Sequence, residues 1–148
     1  MLFSSDTKVA SLRRAPLFEN LSKDELERLA KVTEDLEVEP GKVLCREGEP
    51  AQEFFVIIDG EVEVTQGGDR IRTLSDGDFF GEIALLEDIP RTATVTASKP
   101  LRFFVLTRQS FWSMVESMPD VDRKILRALA KRALASSDDP TLRAAADR

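Results

Sequence analysis

The fold is decided by residues 79–95, which read FFGEIALLEDIPRTATV. A glycine is followed by helix-forming residues, and Pro90-Arg91 then leads into a segment of β-branched side chains. The flanking sequence alternates between polar and apolar residues, which is typical of strands. We therefore predict a short helix over residues 82–86, inserted between two strands.

The residue types in this insertion point to an anion site. Gly81 allows a ligand to approach the backbone closely, and the free N–H groups of Ile83 and Ala84 are expected to face a common spot. The guanidinium of Arg91 is placed to reach the same spot and to hold a phosphate through paired bonds. A carboxylate beside a phosphate is unfavourable unless it accepts a hydroxyl from an attached sugar, which is the role predicted for Glu82.

Outside the insertion, the central part of the chain has the pattern of a β protein. Turns are predicted at Asp59-Gly60, read as a two-residue hairpin, at Gly67-Gly68 and at Asp76-Gly77-Asp78. Many short strands with such turns favour an antiparallel barrel or roll. The predicted strands cover residues 36–39, 43–46, 53–58, 61–65, 71–74, 92–97 and 101–106.

Helical periodicity occurs at both ends of the chain. A first helix is predicted over residues 6–15. A second begins at Ser22, with Glu25 completing a capping box, and reaches about residue 33. Two further helices are expected over residues 108–118 and from a cap at Asp120 to about residue 135.

The amino-acid composition excludes several classes of function. The chain has 148 residues, 42% of them hydrophobic and 32% charged, which fits one soluble domain. Its net charge of −6 argues against a general affinity for nucleic acid. There is no histidine or tyrosine, so histidine triads and histidine-ligated metals are excluded. Cys45 is the only cysteine and cannot form an internal disulfide.

Residues 80–95 resemble the phosphate-binding cassette of the cyclic-nucleotide-binding domain family. That cassette reads F-G-E-aliphatic-A-aliphatic, then a short loop, then P-R-[AT]-A-[TS]-V, and this sequence fits it without a gap. The family includes the regulatory subunits of cyclic-AMP-dependent kinase, cyclic-nucleotide-gated channels and catabolite-activator regulators. The resemblance extends over nearly the whole chain. It implies an α+β fold, an antiparallel β-roll (jelly-roll-like barrel) flanked by N-terminal helices and two C-terminal helices.

The resemblance also implies roles for individual residues. Arg91 would bind the cyclic phosphate, Glu82 the ribose 2′-hydroxyl, and Thr92 the phosphate or the base. Leu85 would help to wall the pocket. The predicted ligand-binding set is Phe80, Gly81, Glu82, Ile83, Ala84, Arg91, Thr92 and Ala93. The last helix would form a lid over the base, with Leu126, Leu129, Ala130 and Ala133 as candidates.

These observations predict a domain over residues 1–137, with N-terminal helices in 1–35, a β-roll in 36–107, and hinge and lid helices in 108–137. Residues 138–148 are predicted to be a flexible tail.

The favoured function is a non-catalytic sensor of cyclic AMP whose lid helix responds to binding, with no metal and no cofactor. Three alternatives remain open: a cyclic-GMP-selective sensor, because Thr92 follows Arg91; an interaction module that no longer binds nucleotide; and a cupin-type β-roll enzyme, which the lack of histidine disfavours.

Partners and location are expectations of the same kind. The chain is predicted to be cytoplasmic, without a membrane segment. Too few residues follow the lid helix for a DNA-binding domain, so no direct DNA binding is expected. The chain is either a stand-alone sensor or one domain of a larger regulator, channel or enzyme, acting on a downstream effector.

Overall fold

The structure, a computed structural model, describes residues 5–135 and 139–145. The helices are α1 (Ser5–Arg13), α2 (Lys23–Lys31), α3 (Arg108–Glu116), α4 (Val121–Ala135) and α5 (Pro140–Ala145). The strands are β1 (Glu34–Val38), β2 (Val43–Cys45), β3 (Glu53–Asp59), β4 (Glu61–Gln66), β5 (Asp69–Ser75), β6 (Phe79–Phe80), β7 (Thr94–Ala97) and β8 (Leu101–Thr107). Two 3-10 helices cover Pro16–Phe18 and Glu82–Leu85.

The strands form two antiparallel sheets of four strands each, in the orders β1-β8-β3-β6 and β2-β7-β4-β5. Apolar side chains of both sheets, among them Ile57 and Phe103 on one and Val62 and Val95 on the other, share one buried cluster. The predicted α+β fold with an antiparallel β-roll is therefore confirmed, as two packed sheets and not as one closed barrel.

Strands β3 and β8 separate two cores because successive side chains of a strand point to opposite faces. On β3, Phe55 and Ile57 belong to the core inside the roll, whereas Phe54 and Val56 belong to a second core that contains the helices. Both faces are buried, so this strand reads as a continuous apolar run and not as an alternating one.

The N-terminal helices close the second core. The Ser22 side chain accepts the Glu25 N–H at 3.2 Å, and the Glu25 carboxylate accepts the Ser22 N–H at 2.8 Å, so the capping box is confirmed. Leu26 and Leu29 of α2 are completely buried in the helix core. The 3-10 turn Pro16–Phe18 lies between α1 and α2 and buries Leu17 and Phe18.

The hairpin predicted at Asp59-Gly60 is wrong. Strands β3 and β4 flank this dipeptide but belong to different sheets, so Gly60 is the corner at which the chain passes between them. Its φ is +124°, and a Cβ at this position would lie 2.5 Å from the Pro100 carbonyl oxygen. Gly67-Gly68, in contrast, joins the paired strands β4 and β5 as a two-residue hairpin.

Two further differences concern local boundaries. The short strand β6 was not predicted, and β7 begins at Thr94, two residues later than expected. Asp120 precedes α4 and its carbonyl accepts the Lys124 N–H at 3.1 Å, but its φ of +66° lies outside the extended conformation of side-chain caps.

A short helix lies within the segment predicted to be a flexible tail, residues 138–148. Residues 140–145 form helix α5. Of the other residues in this segment, Asp139 is described, whereas residues 138 and 146–148 lie outside the described residues. Within the described ranges, no helix is both long and apolar enough to cross a bilayer.

We predict that Gly60→Ala destabilises the fold by about 2–4 kcal/mol, since it combines an unfavourable positive φ with a clash against the Pro100 backbone. Gly68→Ala is the matched control, because its φ is +88° and no described atom lies within 4 Å of the added Cβ. Urea unfolding of both variants measures the difference. Equal losses would show that the contact with Pro100 is unimportant.

Candidate functional site

The 3-10 helix Glu82–Leu85 follows Gly81, and any other residue at this position would have a strained backbone conformation. Gly81 has a φ of +82°, and a Cβ there would lie 2.6 Å from the Glu53 carbonyl oxygen and 2.7 Å from Arg91 Nη1. The chain therefore turns tightly after β6 and brings the helix against the edge of β3.

The backbone donors of this helix are only partly available. The Ala84 N–H donates to the Gly81 carbonyl at 3.0 Å, so the prediction of a free N–H at Ala84 is wrong in this structure. The N–H groups of Glu82 and Ile83 come before the first bond of the turn, and no acceptor for them occurs among the described residues. These two groups are the donors that the helix start can offer to an anion.

Glu82 is a buried carboxylate with two partners from distant parts of the chain. Its side chain is 6% exposed. Oε2 accepts the Leu17 N–H at 3.2 Å, and Oε1 forms an ion pair with Nη1 of Arg132 on α4. The carboxylate thus joins the N-terminal 3-10 turn, the inserted helix and the C-terminal helix.

Arg91 lies opposite, at the end of the loop that follows the 3-10 helix. Its N–H donates to the Glu49 carbonyl at 2.8 Å, which fixes the backbone. Nη2 donates to the Glu53 carbonyl at 2.9 Å, and the guanidinium lies over the Phe55 ring, 5.7 Å from its centre. The Glu53 carbonyl and the Phe55 ring hold the Arg91 guanidinium in place, and its remaining N–H groups are available to a ligand.

A cavity of about 410 Å³ lies between these elements. Its wall includes seven predicted residues: Phe80, Gly81, Glu82, Ile83, Ala84, Arg91 and Thr92. The charged residues of the wall are Glu82 and three arginines, which are Arg91, Arg72 of β5 and Arg132. In a chain with a net charge of −6, this cavity is a locally positive region suited to a small anion.

The same stretch of sequence defines a known family. Residues 35–118 match the cyclic nucleotide-binding domain, which is more than half of the chain. The chain belongs to the cyclic nucleotide-binding domain family.

Relatives and solved structures agree with this assignment. The cAMP-dependent protein kinase regulatory subunit of Yarrowia lipolytica is 38% identical over 111 residues, which are 74% of this chain and 30% of that protein. The cGMP-dependent protein kinase egl-4 of Caenorhabditis elegans is 35% identical over 119 residues, 76% of this chain and 15% of that protein. This chain therefore spans less than a third of either relative.

A solved structure shares the fold. The N-terminal domain of a transcriptional regulator from Streptomyces coelicolor A3(2) superposes with a TM-score of 0.80 at 26% identity. The match covers 86% of this chain and 95% of that one.

Within this cyclic nucleotide-binding domain, one residue of the predicted ligand-binding set does not line the cavity. Ala93 is half-buried and packs against the core inside the roll. Thr92 is exposed and lines the cavity, and its carbonyl accepts a bond from the Gln66 side chain at 3.0 Å. Leu85 is completely buried in the helix core, beneath the 3-10 helix.

The four lid candidates do not line the cavity in this structure. Leu126 is 65% exposed, Ala130 and Ala133 are also exposed, and Leu129 packs against the helix core. The side chain of α4 that reaches the cavity is instead Arg132. The sequence showed it only as one of several basic residues on this helix, and nothing local distinguished it from its neighbours.

Cys45 of β2 lies in the roll core close to the site, and it is 6% exposed. Burial raises the pKa of its thiol to about 11; the neighbouring Arg91 cation lowers this pKa, and the Glu53 carboxylate raises it. No group of three or more potential metal-binding side chains occurs within the described ranges.

We predict that Cys45 reacts slowly with iodoacetamide and that its rate rises about tenfold per pH unit from pH 7.5 to 9.5, because only the thiolate reacts and the pKa lies near 11. Mass spectrometry of the alkylated protein measures the rate, with urea-unfolded protein as the control. A plateau near pH 9 in the folded protein would contradict the raised pKa.

Proposed function

We propose that this chain is a non-catalytic sensor that binds cyclic AMP in the cavity beneath α4. The observation that carries the proposal is the placement of Arg91 and Glu82 on the wall of one locally positive cavity. A 3′,5′-cyclic nucleotide has one phosphate charge and, next to it, one free ribose hydroxyl. These are the two groups for which a guanidinium fork and a carboxylate are suitable partners.

The proposed contacts follow from the geometry. Arg91 binds the cyclic phosphate with the N–H groups that its bond to Glu53 leaves free, and the N–H groups of Glu82 and Ile83 add donors. Glu82 accepts the 2′-hydroxyl. Phe80, Gly81, Ala84 and Thr92 complete the contact surface, and Ala93 supports it from the roll core.

Cyclic AMP is preferred here because the regulatory subunits named among the relatives belong to cAMP-dependent kinases. Cyclic GMP is the second candidate. It is favoured by the exposed hydroxyl of Thr92 on the cavity wall, which can accept a bond from an exocyclic amino group, and by the similarity to a cGMP-dependent kinase.

Calorimetric titration with cyclic AMP, cyclic GMP and 5′-AMP tests the proposal. We expect cyclic AMP to bind most tightly and 5′-AMP, which lacks the cyclic phosphodiester, to bind weakly. Absence of binding by both cyclic nucleotides at millimolar concentration would refute the proposal, and tighter binding of cyclic GMP would select the second candidate.

We predict that Arg91→Ala lowers affinity at least about a hundredfold and that Arg91→Lys does not restore it, because an ammonium cannot pair with two phosphate oxygens at once. Loss of the bond to Glu53 should lower the unfolding free energy by only about 1 kcal/mol. Calorimetry and thermal melting measure the two effects. Arg72→Ala removes another positive charge from the same wall and is the control. An equal loss in that variant would show that only net charge matters.

The ion pair between Glu82 and Arg132 links ligand binding to α4. Both oxygens of Glu82 already have partners, because one pairs with Arg132 and the other accepts the Leu17 N–H. A ribose hydroxyl that binds Glu82 must share or displace this guanidinium. Lys124 pairs with Glu25 at 2.6 Å near the start of α4, so weakening of the Arg132 contact would release mainly the C-terminal half of the helix.

We predict that Arg132→Ala raises the ratio of the dissociation constant of the 2′-deoxy nucleotide to that of cyclic AMP by at least about threefold, since Glu82 becomes free to accept the 2′-hydroxyl. The ratio cancels the loss of positive charge, which affects both ligands alike. Arg127→Ala, at an exposed arginine of the same helix, is the control. An unchanged ratio would contradict competition for Glu82.

The proposed binding unit is residues 1–137, and its output passes to a further domain or a separate effector, as its short span within the relatives suggests. The buried free thiol of Cys45 fits the reducing cytoplasm that we propose as its location.

A further inference from the structure

A groove of about 460 Å³ lies between α2 and α3, and among the described residues it shares no wall residue with the cavity that Arg91 lines. Its charged wall residues are Arg28 and Lys31 of α2, and no described residue of the wall is acidic. The chain as a whole has 27 acidic residues and 21 basic ones. The groove is therefore a locally positive surface on an acidic protein, and such a surface attracts anions.

These two cations have no acidic partner in the described part of the chain. They are three positions apart and lie on one face of α2. The acids best placed to neutralise them are Asp24 and Glu27, four positions before each, but Glu27 pairs with Lys23 at 3.9 Å. Both cations belong to the last turn of α2, where they stabilise its carbonyl end. That interaction accounts for their place in the helix and leaves both charges without a counter-ion.

The opposite wall of the groove carries three hydroxyl groups of α3. Ser110, Ser113 and Ser117 recur at intervals of three and four residues, so they follow one face of the helix. Arg28 Nη2 donates to Ser117 Oγ at 3.1 Å, and that hydroxyl donates to the Met114 carbonyl at 2.7 Å. This arrangement holds the guanidinium beside α3 and leaves its other N–H groups available. The hydroxyls of Ser110 and Ser113 have no hydrogen-bond partner within the described ranges.

The wall of the groove also has an apolar part, formed by Val32 and Met114. Met114 is buried, whereas Val32, the residue that ends α2, is 37% exposed. A ligand whose charged group contacts the cations and hydroxyls would therefore place an attached organic group against apolar surface. Removal of that surface from water would add to the affinity.

We propose that the α2–α3 groove binds a small phosphate monoester, in which one phosphate carries one organic group. Such a phosphate has nearly two negative charges at neutral pH and three acceptor oxygens. Arg28 and Lys31 match the charge, and the guanidinium fork and the serine hydroxyls donate to the oxygens. No residue of the cavity takes part, so this inference does not depend on the binding of a cyclic nucleotide.

Titration of the wild type with inorganic phosphate and with phenyl phosphate, followed by amide resonances, tests the proposal. We expect both ligands to shift the amides of Lys31 and Ser113 at millimolar concentration, and sodium chloride at equal ionic strength to leave them in place. Phenyl phosphate should bind several-fold more tightly, because its ring contacts Val32 and Met114. Unmoved groove amides, or equal affinities of the two ligands, would overturn the proposal of a monoester site.

Two single variants test the cations separately. Arg28→Ala and Lys31→Ala should each lower the affinity for phenyl phosphate at least about fivefold, since each removes a charge-assisted contact. Arg127→Ala is the matched control, because it removes one exposed arginine that does not line the groove. An equal loss in Arg127→Ala would show that only the net charge matters and would overturn the site.

The same titration in Arg91→Ala separates the groove from the cavity, which can also attract phosphate. The substitution should abolish any shift of the Gly81 and Ile83 amides, which belong to the cavity wall, and leave the groove affinity unchanged. Groove shifts that disappear together with the cavity shifts would overturn an independent site. Failure of cyclic nucleotides to bind would refute the proposed function and leave this result unaffected.

Discussion

The arrangement of this domain depends on the burial of one charge, the Glu82 carboxylate. A carboxylate removed from water costs several kcal/mol unless it is paired and hydrogen-bonded. Here the Leu17 N–H and the Arg132 guanidinium supply the two partners, from positions 65 residues before and 50 residues after it. The requirement to satisfy one buried group therefore brings the N-terminal 3-10 turn and α4 to the two sides of the cassette.

The cassette itself has few internal restraints, and its position is set by neighbouring elements. A 3-10 helix of four residues is too short to be stable alone. Its entrance is fixed by Gly81 against β3, its carbonyls by Arg108 and Trp112 of α3, and its carboxylate by Arg132 of α4. The residues that carry the donors without an acceptor among the described residues, Glu82 and Ile83, line the cavity. A flexible segment held in this way can bind an anion with little further ordering, which favours affinity.

The features that depend on local structure could be predicted from the sequence. The features that depend on contacts with distant residues could not. The capping box at Ser22, the α+β class and the cavity position of Glu82 and Arg91 depend on nearby residues or on one ungapped motif, and the structure places them as expected. Asp59-Gly60 has the propensity of a hairpin turn, but strand pairing is set by residues far along the chain, so the dipeptide became a corner between sheets. The choice of Arg132 among the basic residues of α4 depends on the rotation of the helix over the roll, which its own periodicity does not determine.

That rotation also bears on the proposed response of α4 to a ligand. Val121, Ile125 and Ala128 are buried against the helix core, and Arg132 continues the same face into the cavity. The face that carries Leu126, Ala130 and Ala133 points to solvent. For these residues to cover a base, α4 would have to rotate or its C-terminal half would have to leave the present packing. Helix faces packed in a close-fitting core do not rotate gradually, because intermediate angles lose contacts without forming new ones. The Glu82–Arg132 pair lies just beyond the last of these buried residues, where the packing becomes weaker. In the proposed response, a change in this pair would therefore affect the C-terminal half of α4 first, while Val121, Ile125 and Ala128 keep the N-terminal half on the core.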